Sequence, residues 1–120
     1  MISELALEQV RNGRYVGPLD GATHYGVVGS PGDGPWIEIW LEIRGDLIEQ
    51  AAYRTHGCPS SQASAAMVCR LSGGRLKTDI SLMTSSDLML VLGGLPEGKG
   101  HFADMAVQAL HRALTDGTTV

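Results

Sequence analysis

At 120 residues the chain has the length of one ordinary domain and can bury a core without disulfides or structural metal. A net charge of -4, with nine Lys and Arg scattered along the chain, argues against nucleic acid as a partner. The longest apolar runs, such as Leu88 to Leu92, are far short of the roughly 18 residues of a membrane span.

Ser3 to Val10 sets Leu5, Ala6 and Val10 among Glu4, Glu8 and Gln9, which predicts a short amphipathic helix capped by Ser3. Met1 to Glu4 has no basic region and no apolar run follows, so no signal peptide is expected and a cytoplasmic protein is the default. Asn12-Gly13 ends the helix. Arg14 to Ala22 reads as irregular, with Gly17-Pro18 and Asp20-Gly21 as turn signals. Thr23 to Gly29 reads as a first strand. Gly29 to Pro35 follows as a loop too rich in Gly and Pro for regular structure, and Asp33 is its only charged residue. An ordinary turn aspartate bonding its own backbone is one account of Asp33.

Trp36 to Ile43 is the clearest strand. Ile37, Ile39, Leu41 and Ile43 share one face, and Glu38, Trp40 and Glu42 the other, so one face is expected in the core and one in solvent. Trp40 on the polar face either rests on its neighbours or marks a partner surface. Arg44-Gly45-Asp46 supplies a hairpin turn into a third strand, Leu47 to Thr55. Ser60 to Leu71 has helical periodicity, stopped by Gly73-Gly74. Leu76 to Met83 and Ser85 to Leu92 read as two short helical segments, the second capped by Ser85 or Ser86. After a Gly-rich loop, His101 to Leu114 carries a broad apolar stripe of Phe102, Met105, Ala106, Ala109, Leu110, Ala113 and Leu114. Asp116 to Val120 reads as a frayed tail.

The stretch Tyr53 to Ser61 stands between the strands and the helices. Gly57 lets the backbone turn, and Pro59 suits the first position of a helix because its missing N–H would have no partner there. That puts Cys58 at or beside the N-cap, close to free N–H groups and the positive end of the helix dipole. A thiol so placed tends to be acidic, and either reactive or metal-binding; a buried Cys acting as a small hydrophobe is the alternative. Cys69 falls on the same helix, and at roughly 1.5 Å rise per residue the two are on the order of 16 Å apart, so they form no disulfide.

Three strands followed by helices imply an α+β fold. The expectation is one domain over residues 1–120, a small three-stranded antiparallel sheet with helices packed on one face. With this order on the page, the chain resembles the NifU/IscU family of iron–sulfur cluster assembly scaffolds. The resemblance is carried by Val16-Gly17 through Gly26, Gly29-Ser30-Pro31, the hairpin Trp36 to Thr55, His56-Gly57-Cys58-Pro59-Ser60, and Leu95-Pro96-Glu97-Gly98-Lys99-Gly100-His101-Phe102.

The resemblance implies a cluster site of three cysteines, with an aspartate or histidine close by. Here Asp33 stands at the first cysteine position, Cys58 keeps the second, Phe102 stands at the third, and His101 keeps the histidine. The family aspartate two places after the first cysteine is Pro35. The chaperone-binding Leu-Pro-Pro-Val-Lys motif is here Leu95-Pro96-Glu97-Gly98-Lys99, and there is no room for the insertion of the zinc-bearing branch. What the resemblance leaves is a mixed set, Asp33, Cys58 and His101, suited to zinc or iron rather than to a stable iron–sulfur cluster in the monomer. It also implies that Cys58 can accept persulfide sulfur, with a cysteine desulfurase or another iron–sulfur assembly protein as partner.

Three readings follow: a non-enzymatic scaffold-like accessory binding metal or persulfide at Cys58; a non-cluster interaction module; and a small metallohydrolase using Asp33, Cys58 and His101, for which no general base is evident.

Overall fold

The computed structural model describes residues 2–30 and 33–116, the side chains of residues 12, 33 and 116 excepted. The first helix, α1, spans Glu4–Asn12. The Ser3 hydroxyl accepts the Ala6 N–H at 3.1 Å, and Gly13 ends the helix with φ 62, a conformation that favours glycine.

Three strands follow: β1, His24–Ser30; β2, Asp33–Arg44; and β3, Leu47–His56. They form one antiparallel sheet in the order β1-β2-β3, as two consecutive hairpins. The sequence reading of Gly29 to Pro35 as a loop is corrected here. Ser30 pairs with Asp33, so β2 begins inside that stretch, and only positions 31 and 32 fall outside the described residues. The Gly and Pro content marks a local irregularity and not a loop: Gly34, at φ 79, and Pro35 sit at the exposed start of the strand, where the register shifts between the Val28–Ile37 and Ser30–Asp33 pairs and the strand continues past it.

The helices then come in turn: α2, Pro59–Ser72; α3, Lys77–Ile80; α4, Ser85–Leu92; and α5, His101–Asp116. Helix α5 packs on β1 and β2, α2 packs on β3 and against α5, and α1 packs against α2. Ile37, Ile39, Leu41, Val68, Ala109 and Leu110 are all fully buried between sheet and helices. Gly26 makes this packing possible. A Cβ there would stand 2.2 Å from the Ala109 carbonyl oxygen and 2.4 Å from the Ala113 nitrogen, so α5 rests on bare backbone. The cap of α4 is a second correction. Thr84, not Ser85 or Ser86, accepts the Asp87 N–H at 3.2 Å, while the Asp87 carboxylate accepts the Thr84 N–H at 3.0 Å.

The third correction concerns the far face of the sheet, expected in solvent. Trp40 and Glu38 are each only 4 % exposed, and Glu42 is half-buried. The segment ahead of β1 folds over that face. Gly17 lies so close to Trp40 that a Cβ would stand 3.0 Å from its ring, and the Tyr25 ring lies against it, tilted by 48° at 5.5 Å between centroids. Glu38 keeps its charge partnered inside this layer. The Arg54 Nε donates to it at 2.8 Å and the Tyr25 hydroxyl donates to its other oxygen. Trp40 therefore rests on its neighbours. No described helix is long and apolar enough to cross a membrane.

Candidate functional site

Cys58 is the N-cap residue of α2, in extended conformation at φ -94 and ψ 175, and Pro59 opens the helix. Strand β3 runs to His56, so Gly57 is the single joint between strand and cap. A side chain there would displace the Ser61 hydroxyl from its bond to the Cys58 carbonyl. A Cβ would lie 2.6 Å from the Ser61 Oγ and 3.8 Å from the Phe102 ring. The Ser61 hydroxyl and N–H both donate to the Cys58 carbonyl, at 2.8 and 3.0 Å, which locks the first turn.

Cys58 is half-buried. Burial pushes its thiol up, but the backbone N–H groups of Ser61 and Ser60, the Lys99 ammonium and the Ser60 hydroxyl together outweigh that and hold it below the ordinary cysteine value. These donors favour the thiolate by proximity, since no capping hydrogen bond of standard geometry reaches the sulfur. Cys69, further along α2, has the opposite setting. It is fully buried, and burial pushes its thiol far up.

The start of α5 lies beside this turn. Phe102, 5 % exposed, closes the space next to Gly57 and carries the Lys99 ammonium 5.9 Å above its ring. His101 is exposed and lies against the Phe102 ring at 4.1 Å between centroids. The structure thus brings the α2 and α5 starts together, with Phe102 and Lys99 facing the Cys58 turn. Asp33 begins β2, and Trp36, three residues on, pairs with His56, which places the Asp33 backbone at the same end of the sheet. Its side chain lies outside the described residues. Among the described residues no three His, Cys, Asp or Glu side chains are grouped to hold a metal ion.

Lys99 and Ser60 are the site residues that sequence reasoning missed. Lys99 stood in view only as part of a motif, because nothing local ties it to a cysteine so far back in the chain. The signal that could have found it is the basic residue in the turn just ahead of the Phe102 helix.

The chain matches the NifU-like N-terminal domain family over residues 1–118. It is 30 % identical over 116 residues to the iron–sulfur cluster assembly scaffold protein IscU 1 of Archaeoglobus fulgidus, covering 97 % of this chain and 76 % of the relative. It is 32 % identical to the iron–sulfur cluster assembly scaffold protein IscU of Aquifex aeolicus, covering 95 % and 74 %. Among solved structures, the fold is similar to a Fervidobacterium islandicum protein described as a candidate iron–sulfur cluster assembly scaffold for the SUF system. The TM-score is 0.69 at 19 % identity, covering 94 % and 96 % of the two chains. It is also similar to the N-terminal part of a nitrogen-fixing NifU-like protein of Brucella abortus, with a TM-score of 0.56 at 26 % identity over 92 % of this chain and 76 % of that one.

Proposed function

The chain belongs to the NifU-like N-terminal domain family, and on that premise we propose that it serves iron–sulfur cluster assembly as a sulfur-accepting accessory, with Cys58 as the acceptor. Its relatives are iron–sulfur cluster assembly scaffolds. The observation that carries the reading is the setting of Cys58: a half-buried N-cap thiol favoured as thiolate by the Ser60 and Ser61 N–H groups and by Lys99.

The chemistry balances without an oxidant. The Cys58 thiolate attacks the outer sulfur of a donor cysteine persulfide, such as that of a cysteine desulfurase. A new S–S bond forms at Cys58, the donor S–S bond breaks, and the donor leaves as its thiolate. The N–H groups at the start of α2 then face the persulfide anion as they faced the thiolate. In this reading the protein is a carrier and not an enzyme, because the sulfur stays on it until passed on.

A stable cluster in the monomer does not suit the donors. Clusters are held mainly by thiolates, usually four, and Cys69 is enclosed in the core, which leaves one. Zinc or iron, if taken as cargo, would be held by Cys58 and His101, with Asp33 as the third ligand implied by the resemblance.

The test is to incubate the protein with a cysteine desulfurase and cysteine, then map adducts by mass spectrometry. One or more added sulfur atoms on the Cys58 peptide, absent in Cys58→Ser, is the expected result. Desulfurase binding with no sulfur on Cys58 would overturn the reading and leave an interaction module.

A further inference from the structure

Strand β3 forms one edge of the sheet, and other segments cover that edge in two places. Near its end the Tyr53 N–H donates to the Tyr15 carbonyl at 2.8 Å, and the Gly17 N–H donates to the Tyr53 carbonyl at 2.7 Å. At its start the Ile48 N–H donates to the Arg75 carbonyl at 2.9 Å, and the Gly74 N–H donates to the Ile48 carbonyl at 2.7 Å. Between these lies a gap. Inward and outward backbone groups alternate along an antiparallel strand, so Ala51, two residues before Tyr53, turns its N–H and C=O to the same open edge. Among the described residues neither group has a backbone partner outside the sheet.

A cleft of about 360 Å³ opens at this gap, within the size range of small-ligand sites. Its lining includes Arg14 and Tyr15 from the segment ahead of β1, Ala51 and Ala52 from β3, and Arg70 and Gly73 from the end of α2. Arg14 and Arg70 are exposed, and neither forms an ion pair among the described residues. Glu49 also lines the cleft, but its carboxylate faces the Arg44 Nε at 3.4 Å. The Arg14 guanidinium lies 5.8 Å above the Tyr15 ring, a contact that leaves its N–H edge open, so the rim offers two guanidinium groups without a carboxylate partner beside an unpaired strand edge.

We propose that this cleft takes the C-terminal end of an extended peptide from a partner protein, whose last residues pair with Ala51 while the terminal carboxylate meets Arg14 and Arg70. Both N–H and C=O of Ala51 face the cleft, so a peptide satisfies them together by strand addition. The open length decides for a chain end. From Ile48 to Tyr53 the strand offers a span on the order of 17 Å, with both ends already covered, so a strand has no through path. Two arginines select the end that carries a carboxylate.

The site is independent of Cys58, and Cys58→Ser leaves it intact. The probe is N-acetyl-trialanine with a free C-terminus, titrated into isotope-labelled protein and followed by amide chemical shifts. Saturable movement of the Ala51 amide is expected, weakened about tenfold or more in Arg14→Gln, in Arg70→Gln and with the C-terminal amide of the same peptide, which is about 1.4 kcal/mol. Both arginines are exposed, and the rest of the spectrum reports that the variants stay folded. No saturable shift at Ala51, equal binding of acid and amide, or the same shifts from acetate alone would each overturn the proposal.

Discussion

Two cysteines on one helix are set apart by what surrounds each sulfur. Cys58 has N–H groups and Lys99 beside it at the helix start; Cys69 has only apolar core. Alkylation follows the thiolate, so native protein should be modified at Cys58 with a pH midpoint below that of a free cysteine, and Cys69 only on unfolding. Lys99→Gln should raise the Cys58 midpoint. The sign carries into stability. Because the folded-state value is the lower one, the unfolded chain binds more protons between the two values. The Cys58 contribution is therefore present above that window and fades as the pH falls through the folded value. Equal labelling of the two cysteines in folded protein would contradict this picture. The N-cap place of Cys58 was legible because Gly57 and Pro59 are local signals. The ammonium that adjusts it was not, since Lys99 reaches it only once α5 docks.

Elements were legible in kind and order more than in their ends. Strict alternation identified β2, and apolar periodicity identified α2 and α5. Capping of α4 turned on one residue: Thr84, Ser85 and Ser86 are all capable, and only the reciprocal pair with Asp87 singles out Thr84. Thr84→Ala should cost about 1 kcal/mol, seen as a drop of a few degrees in Tm, while Ser85→Ala should change little. The reverse order of effects would return the cap to Ser85. The far face of β2 was misread for a different reason. Glu38 and Glu42 are polar, but the cover over Trp40 comes from Gly17, a distant segment that alternation within β2 cannot reveal.

At the scale of the whole molecule, a run of strands followed by helices was enough for the layer order, since helices that follow an antiparallel sheet in sequence pack together on one face. The meeting of helix starts was legible only through the family resemblance, because no periodicity in α2 or α5 says which ends lie side by side. Of the expected trio, Cys58 and His101 stand at those adjoining helix starts and the Asp33 backbone lies at the same end of the sheet, with Phe102 buried between the helix starts. In the proposed reading the folded monomer presents a single reactive thiolate for sulfur, and not a cradle for a cluster. Anaerobic reconstitution with iron and sulfide, followed by separation of the monomer and its absorbance spectrum, tests that most directly. Monomer with little cluster charge-transfer absorbance and substoichiometric iron and sulfide is expected. A stable monomer carrying stoichiometric iron, sulfide and cluster absorbance would contradict it.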